Sequence, residues 1–70
     1  MSVADIILST ADRFELDSST VKHGKCYFSK AARAWVIRSA VNSGHSFSKV
    51  ARILNRDRST IREIYMRVNI

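Results

Sequence analysis

The sequence predicts an all-α fold, one compact domain of four to five helices spanning residues 1–70. Three observations carry this expectation. The chain has no proline and only two glycines, Gly24 and Gly44, so the residues that punctuate turn-rich folds are scarce. Apolar residues recur at spacings of three and four, the period of one helix face. Few runs alternate with the period of two that a half-buried strand requires. A length of 70 residues lies near the lower limit at which a single core holds a fold without staples.

The first helix is expected over about residues 3–14. Ser2 can cap it and Asp5, three positions on, completes a capping-box pattern near the positive end of the helix dipole. Val3, Ile6, Ile7, Thr10, Ala11 and Phe14 form its inner stripe. A short second helix or turn follows, with Asp17 as cap and Leu16 and Val21 pointing inward. Lys22-His23-Gly24-Lys25 reads as a basic loop that Gly24 allows to turn sharply. Ser29 is expected to cap a third helix running to about Ser43, with Ala34, Trp35, Ile37, Ala40 and Val41 as its apolar set. Tyr27, Phe28 and Trp35 are accordingly assigned to the core rather than to base stacking.

Asn42-Ser43-Gly44 is a helix stop, with Gly44 suited to the left-handed residue that ends it. Ser46 caps a fourth helix whose Phe47, Val50, Ala51 and Leu54 repeat at i, i+3, i+4 and i+7. Asn55 breaks that pattern. A last helix starts near Asp57 and is expected to bury Ile61, Ile64, Tyr65 and Val68.

Composition excludes several classes of function. Cys26 is the single cysteine, so no internal disulfide is available, and one thiol with two distant histidines gives no zinc-ligand spacing. A lone thiol fits a reducing, cytoplasmic setting, where a nucleoid association is expected. No apolar run approaches a membrane span, and no signal-peptide pattern opens the chain. A basic amphipathic last helix suits an acidic membrane surface less well than it suits a nucleic-acid groove. No serine–histidine–acid arrangement, paired carboxylates or phosphate loop suggests an enzyme, and neither a metal nor a cofactor is expected. The net charge is +6, and eleven of the twelve Lys and Arg fall at or after Lys22, against only Asp57 and Glu63 there. Such an imbalance points to a polyanionic partner.

Residues 46–68 fit a helix-turn-helix, two helices joined steeply by a very short turn. Ala51 is small where the helices would touch, Asn55 tolerates positive φ at the turn, and Ile61 and Ile64 would anchor the second helix against Val50 and Leu54. Asp57, Arg58, Ser59, Arg62 and Glu63 then fall outside the buried stripe. The start of a recognition helix reaches base edges in the major groove. Asp57, Arg58, Ser59 and Arg62 are therefore the expected base contacts: Arg58 toward guanine O6 and N7, Asp57 toward a cytosine amino group. Asp57 can also serve as the N-cap. Ser46, Ser48 and Thr60 are read as backbone contacts, and Lys49, Arg52, Arg56 and Arg67 as phosphate contacts or solvated charges, since such groups position the protein without reading sequence.

The stretch from Gly44 through Ser46-Phe47-Ser48-Lys49-Val50-Ala51 to Arg56-Asp57-Arg58-Ser59-Thr60-Ile61 resembles the C-terminal DNA-binding domain of the bacterial replication initiator DnaA. That family has a Leu-Pro-Glu-Ile-Gly stretch followed by Gly-Arg-Asp-His-Ser/Thr-Thr-Val. The resemblance extends upstream to Ile6 through Leu16, to the basic residues 22–25, and to Ala32-Arg33-Ala34. It implies that Asp57, Arg58 and Ser59 face bases, that Lys22, His23 and Lys25 lie by the neighbouring minor groove, and that Arg33 and Thr60 approach the phosphate backbone. Arg58 stands where the family usually has histidine, Glu15 where it has glycine, and Asn55 where it has one of a glycine pair. Lysine and histidine replace the arginine of the family's minor-groove loop, which would shift specificity toward Asp57, Arg58 and Ser59.

The resulting expectation is sequence-specific binding of double-stranded DNA by a bacterial or phage protein, monomeric as a domain, in transcription regulation. RNA polymerase or another regulator is the protein partner that role would bring. One alternative is recognition of, or competition for, replication origin sites without ATPase activity. A second is a helical protein-interaction module.

Overall fold

The first helix begins where Ser2 Oγ accepts from the amide of Asp5, at 3.2 Å, and the computed structural model describes the chain from Ser2 to Val68. α1 (Val3–Phe14) buries Val3, Ile6, Ile7, Thr10 and Ala11, with Phe14 half-buried beside them. The Thr10 hydroxyl is admitted to this apolar face because it donates to the Ile6 carbonyl at 2.7 Å. α1 ends at Glu15, whose backbone is left-handed (φ 56°, ψ 44°). The amides of Glu15 and Leu16 bond back to the carbonyls of Asp12 and Ala11, satisfying two of the orphan acceptors at the helix end.

α2 (Ser18–His23) is short and depends on the fully buried Val21. Asp17 stands at its N-cap position but makes no side-chain capping bond. Lys22 and His23 form the last turn of α2 rather than part of a loop. Gly24 also differs from expectation. Its φ of −64° suits any residue, so a sharp turn is not what demands glycine. A Cβ there would collide with the Thr20 carbonyl and the Ser29 side chain, and close approach is the reason.

α3 (Tyr27–Asn42) starts two residues before the expected cap, with Cys26 at the N-cap position. Ser29 is instead buried in the first turn, its Oγ 3.0 Å from Cys26 Sγ. The inner face of α3 carries Ser29, Ala32, Arg33, Val36, Ile37 and Ala40, a stripe rotated from the expected one. Ile37 and Ala40 belong to both. Ala34 and Val41 are only half-buried, and Trp35 is 43% exposed, with the Arg13 guanidinium 4.9 Å above its ring. Tyr27 and Phe28 are 79% and 63% exposed, so the core assignment of these aromatics does not hold. The physical cause is Arg33: its inward position completes one stripe, and the competing aromatic stripe is turned out.

Gly44, with φ +100°, ends α3 in the expected left-handed way, and the amides of Gly44 and His45 bond to Val41 and Ala40 carbonyls at 3.0 Å each. α4 (Phe47–Leu54) is capped by Ser46 Oγ, which accepts from the Lys49 amide at 3.1 Å. It buries Val50, Ala51 and Leu54. α5 (Arg58–Val68) buries Ile61 fully and packs Ile64 and Tyr65 against the core. The side chain of Val68 lies outside the described residues. Tyr65 meets Phe47 edge-to-face at 5.6 Å and donates its hydroxyl to Asn42 Oδ1 at 2.9 Å, fixing α5 to the end of α3.

Among the described residues every regular element is helical. α3 is central: α1 and α2 pack on it and on each other, as do α4 and α5. The core runs continuously through both groups, from Val3, Ile6 and Val21 across Val36 and Ile37 to Val50, Leu54 and Ile61. Such burial contributes about 1.5–3 kcal/mol per large aliphatic side chain. It sets the relative placement of the α2 end and the α4–α5 turn.

Candidate nucleic-acid interface

Three residues, Asn55, Arg56 and Asp57, join α4 to α5. Asn55 takes the left-handed conformation (φ 56°, ψ 49°), and the Arg56 amide bonds to the Ala51 carbonyl at 2.9 Å. The chain thereby leaves α4 within one turn. The Asp57 carbonyl accepts from the Ile61 amide at 3.1 Å and so opens the first turn of α5. Its carboxylate is exposed and makes no capping bond among the described residues.

Arg58, Ser59 and Arg62 are all exposed and share one side of α5. With Ser46 and Ser48 of α4 they line a shallow open depression, which Phe47, Glu63 and Met66 complete. Asp57 falls on the other side of the same turns. There it borders a second groove with Arg52, Asn55, Arg56 and Thr60. The four expected base contacts are thus divided, three against one, across the start of α5. Lys49 is exposed on α4. Glu63 pairs with Arg67 at 3.5 Å on the open surface, a contact of little energetic weight. Met66 was not singled out from the sequence; its spacing of four from Arg62 and seven from Ser59 already placed it on this face.

Arg33 and Arg56 occupy a different setting from the phosphate contacts expected of them. Arg33 is 7% exposed. Its Nη1 donates to the carbonyls of Val21 (2.9 Å), Lys22 (3.2 Å) and Gly24 (3.2 Å), and its Nη2 donates to Gly24 at 3.1 Å. Those carbonyls end α2 and bear the negative pole of its peptide dipoles, so a cation is satisfied there without a carboxylate. Burial, and then the charge of Arg56, lower the pKa of Arg33; a guanidinium nevertheless stays protonated in a protein. Half-buried Arg56 donates from Nη2 to the same Lys22 carbonyl at 3.3 Å and from Nη1 to Leu54 at 3.4 Å. The end of α2 is thereby fixed to the α4–α5 turn across 34 residues of sequence. His23 and Lys25 remain exposed beside this junction, and Lys22 is half-buried.

Among the described residues no group of three or more His, Cys, Asp and Glu is placed to hold a metal ion. None of the described helices is long and apolar enough to cross a membrane. No family model, curated protein or solved structure matches this chain.

Proposed function

We propose that the chain binds double-stranded DNA sequence-specifically, with α4 and α5 acting as a helix-turn-helix and α5 as the recognition helix. One observation carries the proposal. Arg58, Ser59 and Arg62 stand exposed together in the first turns of α5, directly after a three-residue turn and beside the capped start of α4. Two arginine forks and a hydroxyl exposed on one side of the helix suit the donor and acceptor edges of the major groove. Ser46, Ser48 and Lys49 at the start of α4 then meet the phosphate backbone, where helix N-termini and point charges position a protein. Arg33 is left out of this interface and serves the fold.

Recognition without an energy-using step suffices to place or exclude RNA polymerase, which makes transcription regulation one outcome of such binding. Recognition of, or competition for, replication origin sites is the second, and the left-handed backbone of Glu15 favours it. DnaA-like domains carry glycine at that point, and positive φ is the conformation glycine supplies. Selection of bound sequences from a random duplex pool tests both: a DnaA-box-like motif supports the origin role, and a two-fold symmetric one a dimeric repressor. On the selected site Arg58→Ala should cost about 1–3 kcal/mol and relax discrimination at one base, whereas Lys49→Ala should weaken all sequences alike. Binding that does not weaken with salt counts against phosphate contact and returns the helical protein-interaction reading.

A further inference from the structure

Tyr27 and Phe28 are adjacent, open α3, and expose 79% and 63% of their surface. Their rings meet edge-to-face at 5.7 Å and 81°. The ring pair therefore presents two differently oriented faces to solvent, at a cost in hydration that the fold does not recover. Lys25 precedes the pair, and Lys30 lies three positions beyond Tyr27, on the same side of the helix. From Ser18 to Arg56 the chain has eight Lys and Arg and no acid. A second copy of the chain would bring the same sign of charge to this face, so self-association is disfavoured. A polyanion with flat apolar rings is the complementary partner.

The position of the pair narrows that partner. Gly24, Lys25 and Cys26 join the ring pair to the end of α2, which the Arg56 bond to the Lys22 carbonyl holds against the α4–α5 turn and the Arg33 bonds to the Gly24 carbonyl hold against α3. The rings thus extend from a segment fastened to the start of the proposed recognition helix. We infer that Tyr27 and Phe28 form a stacking element for DNA bases that have left the helical stack, beside the duplex held by α5. This rests on the DNA-binding reading above and adds a second kind of contact to it. Aromatic rings stack on any base, while Lys25 and Lys30 meet the phosphates that flank it. The stacked base comes either from an internal unstacked step or from a single-stranded end.

Three fluorescent DNA probes of one sequence separate these cases: a blunt duplex, the same duplex with an unpaired bulge, and the same duplex with an oligothymidine tail. The full chain should bind the bulged probe, the tailed probe or both about tenfold more tightly than the blunt one, as expected for one stacked base. Preference for the bulge alone assigns the internal step, and preference for the tail alone assigns the end. Tyr27→Ala/Phe28→Ala should abolish the preference and leave blunt-duplex affinity unchanged; Tyr27→Leu/Phe28→Leu should do the same, because apolar bulk without a flat ring does not stack. Both rings are exposed, and far-UV circular dichroism checks that the variants remain folded.

Equal binding of all three probes by the unmodified chain overturns the inference while leaving duplex recognition intact, as does an Ala variant that weakens every probe alike. Loss of polyglutamate binding in the Ala variant as large as its loss of tailed DNA overturns it in favour of an acidic protein partner. Absence of salt-dependent binding to any probe is a different failure and removes the DNA-binding reading itself.

Discussion

Replacing Arg33 with alanine separates the structural role of this residue from the phosphate contact that its resemblance to DnaA-like domains implies. The substitution strands the carbonyls of Val21 and Gly24 at the end of α2 and leaves the Lys22 carbonyl with the Arg56 bond alone. The Val21 bond is buried, whereas the Lys22 and Gly24 bonds are partly open to water. A lost bond to a charged donor costs about 1.5–3 kcal/mol, and the two outer carbonyls recover part of it by hydration. Relief of repulsion with Arg56 returns a fraction more. The net loss is on the order of 2–4 kcal/mol. A domain of this size holds roughly 3–10 kcal/mol, so about a fifth or more disappears. The midpoint of thermal unfolding should fall by roughly 8–30 °C, from about 4–8 °C per kcal/mol at this size. Arg33→Lys should recover only part, since one ammonium cannot span three acceptors. Urea unfolding followed by circular dichroism measures the loss. A duplex titration over a salt series, run where the variant is folded, completes the assay. A phosphate contact would reduce the slope of log K against log salt by about 0.9. Unchanged stability with a slope reduced by that amount refutes the reasoning.

Three further outcomes follow from local geometry. Gly24→Ala should destabilise by about 1–3 kcal/mol in urea unfolding, although its φ is permissive, because the added Cβ meets the Thr20 carbonyl and Ser29. Glu15→Gly should stabilise by about 0.5–1 kcal/mol in the same assay, since the left-handed cost to a Cβ-bearing residue exceeds the entropy glycine adds to the unfolded chain. The Cys26 thiol is held below its ordinary pKa by its hydrogen bond with Ser29. Alkylation should therefore begin at lower pH in the folded chain than in the unfolded one, and Ser29→Ala should move that onset upward. A folded-state pKa below the unfolded one also means that the thiol's contribution to stability is present above the unfolded value and is lost as pH falls through the folded value.

The ends of α1, α3 and α4 were legible in the sequence because their signals are local. Ser2 and Ser46 cap through amides three residues on, and Glu15, Gly44 and Asn55 each reverse the chain through positive φ. Gly44 and Asn55 announce that role by residue type; Glu15 does not. The face of α5 was legible for the same reason, since Ile61 and its neighbours fix which residues point outward. The orientation of α3 was not. Two apolar stripes compete on that helix, and choosing the right one requires an arginine on the inner face. Its acceptors lie 9 to 12 residues away in sequence and become available only when α2 docks. Exposure of Tyr27, Phe28 and Trp35 follows from that choice. Capping by Asp57 was a fair local expectation, yet its carboxylate is exposed and the turn is closed by backbone bonds instead.

The two guanidiniums that converge on the Lys22 carbonyl also decide how α2 behaves as a kinetic unit. Six residues are too few for a helix to persist alone in water. α2 is helical because Val21 is buried and because donors from α3 and from the α4–α5 turn close over its last carbonyls. Amide hydrogens of residues 21–24 should then exchange through a partial opening, at a free energy below that of global unfolding. That opening withdraws α2 from both arginines at once. Protection at these few amides is accordingly a gauge of the seam between the α1–α2 and α4–α5 halves, readable while the rest of the domain stays closed.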